Sequence, residues 1–103
     1  MSAAFHPEAE AEFNEAVDHD AAIEPDLAAG FISEVEQAVS RASRSPLAWS
    51  VMGGSFRRCL VHRFPFGVIY EEVPGGIVVL AVMHLRRRPG HWQDRTSDRS
   101  GSG

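Results

Sequence analysis

His84-Leu85-Arg86-Arg87-Arg88-Pro89 sets four cationic or titratable side chains just beyond the most apolar run of the chain, Ile77 to Met83. A guanidinium grips phosphate or carboxylate through a planar fork, and an imidazole moves protons near neutral pH. This stretch is therefore where recognition or chemistry is expected. Arg57, Arg58, His62 and Arg63 add further groups shortly before it, and Trp92 follows it. Arg63, Arg86, Arg87 and Arg88 can hold an anion, while His84 or His62 can carry a proton. All ten basic residues are Arg, which favours forked recognition over a diffuse ammonium cloud.

Plainer roles compete for the same residues. The Arg86 to Arg88 run can be solvated charge or pair with helix glutamates, and Arg57, Arg58 and Arg63 can bond Glu71 and Glu72 across a hairpin. His84 can be a hydrogen-bonded strand end and nothing more. Glu71 and Glu72 lie close enough to the strand end to serve as bases, although no paired-carboxylate spacing is evident. His6, His19 and His91 lack the spacing of metal ligands. The single Cys59 excludes a disulfide within the chain and a cysteine-based zinc site, and its place in an apolar run predicts a buried structural thiol. No metal and no cofactor are expected.

Charge is divided along the chain. Residues 1–50 carry 2 Arg against 10 acidic residues, a net of -8, whereas residues 51–103 carry 8 Arg against 4, a net of +4. Nucleic acid, an acidic protein partner and pairing between the two halves all remain compatible with that division. A chain of 103 residues with 44% apolar composition suits one domain and one core. No apolar run approaches the roughly 20 residues that cross a bilayer, and the N-terminus lacks the pattern of a signal peptide. A cytoplasmic protein without membrane contact is expected.

The elements that must position the arginines follow from periodicity. Ala3-Ala4-Phe5 reads as a short strand. His6-Pro7 opens a helix with Ala9, Phe13, Ala16 and Val17 on one face, expected to end near Asp20. After a turn at Ala22 to Pro25, Asp26 is expected to cap a second helix with Leu27, Phe31, Val35, Ala38, Val39 and Ala42 at core spacing. Gly30 interrupts that helix and can admit a close neighbour. Leu47 to Gly54 reads as a loop with Trp49 as its anchor. Phe56 to Arg63 and Gly67 to Val73 then read as a hairpin joined at Phe64-Pro65-Phe66, with Tyr70 in the core. Pro74-Gly75-Gly76 turns into a central strand, Ile77 to Met83. Alternation puts Val78, Leu80, Val82, His84 and Arg86 on one face of that strand. The fold class is α+β, in the order strand, two helices, three consecutive antiparallel strands. Residues 1–95 form the domain and 96–103 a flexible tail.

Three segments in this order resemble the RelE/ParE superfamily of bacterial toxins. They are Phe5-His6-Pro7-Glu8-Ala9-Glu10-Ala11-Glu12, then Arg57-Arg58 through Leu60, Arg63-Phe64-Pro65-Phe66, Val68 and Tyr70, then Val79-Leu80-Ala81-Val82 with His84, Arg86-Arg87, Pro89 and Trp92. The resemblance covers nearly the whole chain. It implies a short strand and a helical hairpin packed on a small antiparallel sheet. It also implies a cognate antitoxin partner whose flexible C-terminal segment lies along the toxin, possible hetero-oligomers, and a cellular target.

Two branches of the superfamily differ in that target: ribosome-bound messenger RNA is cut by one, and DNA gyrase is inhibited by ParE-like members. Metal-free RNA cleavage needs a base, an acid and cations around the phosphate. His84, Arg87 and Arg63 would be the catalytic residues here. Where the resemblance places an Arg at the start of the strand after the hairpin, this chain has Gly67. Its nearest C-terminal aromatic is Trp92, whose indole is no hydroxyl acid. The ParE-like branch is favoured on those departures, with ribosome-dependent RNA cleavage as the alternative and a non-toxic antitoxin-binding scaffold as a third reading. Under the favoured reading Arg57, Arg58, Arg63, Arg86, Arg87, Arg88 and Trp92 bind the target or the antitoxin.

Overall fold

The structure, a computed structural model, describes residues 2–86. Arg87, Arg88, Trp92 and the tail expected at 96–103 lie outside the described residues. The elements run β1 (Ser2–Phe5), α1 (Pro7–Ile23), α2 (Pro25–Arg44), β2 (Ser50–Gly53), β3 (Phe56–Leu60), β4 (Phe66–Val73) and β5 (Gly76–His84). They build one five-stranded sheet in the order β1-β5-β4-β3-β2. Only β1 and β5 are parallel; the other pairs are antiparallel. The helical hairpin packs on one face, as the α+β reading requires.

Local chemistry explains the helix boundaries. His6 is extended, and its Nδ1 accepts the Glu8 N–H at 3.1 Å; Pro7 follows, and Glu8 and Glu10 place negative charge on the positive end of α1. The expected break at Ala22 to Pro25 shrinks to one extended residue, Glu24. Pro25 disfavours helical geometry in the residue before it but starts the next helix well. So α1 continues past Asp20 to Ile23, and Asp26 lies in the first turn of α2 and is not its cap.

The core lies between the helices and the sheet. Phe31, Val35, Ala38 and Ala42 of α2 are buried against Val68, Tyr70, Ile77 and Val79, whereas α1 contributes Ala9 fully and Phe13, Ala16 and Val17 in part. Phe31 is the hub of an aromatic row, with ring centroids 6.0 Å from Phe13, 5.3 Å from Phe64 and 4.9 Å from Phe66. Trp49 anchors its segment as expected, donating from Nε1 to Arg41 O at 3.3 Å. Cys59 is buried, and burial raises its thiol pKa against the opposing charge of Arg41. Tyr70 is fully buried, with its hydroxyl on the Pro46 carbonyl; burial pushes its pKa up to about 12.

Three strand expectations change. The segment read as a loop over 47–54 contains β2, because Gly53 and Gly54 at φ 123° and 53° turn it back onto β3. The strand expected to reach Arg63 ends at Leu60, and Arg63 itself takes φ 71° in the connection. The third change concerns the faces of β5. Ile69 pairs with Ala81 but Tyr70 pairs with Val79, so Leu80 is a bulge. Val78, Leu80, Ala81 and Met83 therefore pack on the second face with Ile69, Met52 and Phe56, while Val79 and Val82 join the core under the helices. The single face expected for Val78, Leu80, Val82, His84 and Arg86 does not exist.

Candidate functional site

Strand register gathers the candidate residues at one end of the sheet. Leu60 pairs with Gly67, Phe66 pairs with His84, and Leu85 N donates to Pro65 O at 2.9 Å. The end of β3, the loop 61–65, the start of β4 and the exit of β5 thus form one rim. Arg58, Arg63 and Arg86 are near it, with Leu60 and Leu85 as exposed apolar neighbours.

Each arginine is held differently. Arg57 is committed inward: its Nη1 donates to Trp49 O at 2.8 Å and Leu47 O at 3.2 Å, tying the 47–49 segment to β3. Arg58 points to the second face, and its stem lies across Gly67; a methyl group at that glycine would stand 3.0 Å from Arg58 Cδ. Its Nε is shielded from solvent and has no hydrogen-bond partner among the described residues. Arg63 pairs with Glu34 at 3.5 Å, with 69% of its side chain exposed, and its guanidinium lies 6.0 Å from the Phe64 ring centroid. Such an exposed pair contributes little. The cross-hairpin pairing of Arg63 with Glu71 or Glu72 is replaced by this contact with α2. Arg86 is exposed, and its backbone N–H donates to His84 Nδ1 at 3.1 Å.

That last bond defines the imidazole. With Nδ1 accepting, a neutral His84 carries its proton on Nε2. The ring meets Phe66 edge-on at 5.3 Å and lines a cavity of about 170 Å³ with Glu12, Glu15, Ala16, Phe66 and Val82. Its setting is the acidic side of α1. Glu12 Oε1 also accepts the Val82 N–H at 3.2 Å. Carboxylates around His84 oppose a phosphate there, and Arg58 lies on the other face of the sheet. The structure brings Arg58, Arg63 and Arg86 to a common end but does not put His84 on the Arg58 face. Among the described residues no group of three or more His, Cys, Asp or Glu side chains could hold a metal ion.

The packing of Arg58 on Gly67 and the place of Leu60 and Leu85 on the rim are not marked in the sequence. A glycine inside a strand is the signal for a close approach by a neighbour, but which neighbour depends on register.

The family described as "ParE toxin of type II toxin-antitoxin system, parDE" matches residues 3–89. The chain belongs to that family. Among solved structures, a chain of the chromosomal ParDE toxin-antitoxin system from P. aeruginosa is similar in fold, with a TM-score of 0.70 and 18% identity over 82% of this chain and 95% of that one. No curated protein matches in sequence. The ParE-family match runs from within β1 to beyond β5, and its span includes Arg58, Arg63 and Arg86. No helix among the described residues is long and apolar enough to cross a membrane.

Proposed function

We propose that this chain is the toxin of a type II module, silenced by a cognate antitoxin, and that it inhibits DNA gyrase instead of cutting RNA. ParE-family membership and the fold shared with a ParDE system support the module. The observation that carries the choice of target is the setting of His84. Its Nδ1 is taken by the Arg86 N–H, its ring faces the cavity lined by Glu12 and Glu15, and Arg58 occupies the opposite face. Phosphodiester cleavage needs proton carriers and cations converging within hydrogen-bond reach of one phosphate. Gly67, where the ribonuclease branch has an Arg, subtracts a further cation. A binding surface needs no such convergence, and a cationic rim with apolar neighbours suits an acidic protein surface.

Induction without antitoxin tests the reading. Gyrase-trapped DNA breaks, with intact transcripts, are the expected result. Transcript ends positioned by codon would establish the RNA-cutting alternative, and unaffected growth would leave only the binding scaffold.

A further inference from the structure

Gly67 lets Arg58 and Leu85 pack closely onto the second face of the sheet. A methyl group there would stand 3.0 Å from Arg58 Cδ, 3.1 Å from Arg58 Cγ and 3.4 Å from Leu85 Cδ2. The arginine stem and the leucine thus fill space that a side chain at 67 would claim. No positive φ demands glycine at this position. The close approach of Arg58 leaves room for a side chain there only if the arginine stem shifts.

The surroundings of that arginine are unusual for a solvated cation. Its Nε is shielded and, among the described residues, unpartnered. Leu60, opposite Gly67 across the β3-β4 pair, is 48% exposed, and Leu85 is 42% exposed. A guanidinium beside two exposed aliphatic groups is complementary to an acid flanked by apolar side chains. Arg86, exposed next to Leu85, adds positive charge. Nucleic acid fits less well, because a phosphate brought to Arg58 would leave both leucines against a charged backbone.

We propose that the Arg58 patch packed over Gly67, with Leu60 and Leu85 exposed beside it, docks a protein segment presenting one carboxylate between two aliphatic side chains. The acid meets the Arg58 fork, and the aliphatic groups cover Leu60 and Leu85. The proposal deepens the toxin reading and rests on it for the partner's identity, but the chemistry of the patch is independent of it.

The full chain is titrated with a synthetic peptide that sets one glutamate between two leucines, and with the same peptide carrying glutamine. The Arg58 Nε–Hε resonance and the affinity are followed together. The glutamate peptide is expected to bind at least about tenfold more tightly, the scale of a hydrogen bond to a charged group. Arg58→Met should abolish that preference. Gly67→Ala, which keeps the charge but displaces the stem, should reduce it with the melting temperature retained. Equal binding of the two peptides, or a preference that survives Arg58→Met, overturns the proposal. Repeating the Arg58→Met comparison with the co-expressed antitoxin and with purified gyrase identifies which protein supplies the acid; weakening of either supports the docking. Binding of a short RNA that depends on Arg58, without peptide discrimination, would replace the protein segment with nucleic acid. Unaffected growth on induction would remove the toxin reading and leave the peptide result standing.

Discussion

Glu12 in α1 accepts the backbone N–H of Val82, 70 residues further along the chain, at 3.2 Å. β1 accompanies β5 only as far as Val79, whose carbonyl takes the His6 N–H. Beyond that point no strand of the described residues lies beside that edge of β5, and the carboxylate stands in for one. An unsatisfied, partly buried amide costs about 1–3 kcal/mol. Glu12→Ala should therefore destabilise the fold by roughly that amount in urea unfolding, and Glu12→Gln, which keeps a carbonyl acceptor, by less. Equal losses from both variants would assign the effect to charge.

Phe31 and Phe13 separate in the structure although they share helical core spacing in the sequence. Phe31 is fully buried and meets three other rings, whereas Phe13 is half-buried. Phe31→Ala is expected to cost about 3–5 kcal/mol and Phe13→Ala clearly less. Denaturant midpoints check the order.

Gly30 is not required by packing. A methyl group there would meet Phe64 Cζ at 3.8 Å and Arg63 Nη2 at 3.9 Å, ordinary contact distances. Gly30→Ala should stabilise α2 by about 1 kcal/mol through helix propensity, read as a higher melting temperature.

Arg63 occupies φ 71°, which disfavours a side chain, while its visible ion pair is exposed. Arg63→Gly removes backbone strain of about 1–2 kcal/mol and a pair contributing no more than about 1 kcal/mol. Stability should stay level or rise, and toxicity on induction should fall. A large loss of stability would show that the Glu34 contact is structural.

Tyr70 is the single tyrosine, so tyrosinate absorbance reports it alone. Burial raises its pKa from 10.0 to about 12. Between those values the unfolded chain loses the phenolic proton while the folded chain keeps it, so stability falls as pH rises through this window. Below pH 10 the group contributes no slope. The absorbance midpoint of the folded protein is expected near pH 12, and Tyr70→Phe should remove this part of the alkaline loss.

The opening strand and two helices, the helix faces, the long strands and the resemblance to RelE/ParE toxins were legible in the sequence, because they depend on near neighbours, whereas β2 was not. Positions three and four apart share a helix face whatever surrounds them, and His6-Pro7 or Pro74-Gly75-Gly76 specify their own geometry. The two faces of β5 were not legible. Leu80 bulges only in relation to its pairing with β4, and one extra residue reverses the face of everything on one side of it. His84 is thereby directed toward Phe66 and the carboxylates of α1, although simple alternation aligned it with Leu80. The same holds for Arg58 and Gly67, which no local signal links until β3 and β4 pair. The sequence by itself supplied the arginines and the strands that carry them. Tertiary structure decided which arginine is spent on backbone carbonyls and which is presented, because strand register is a property of two segments and not of one.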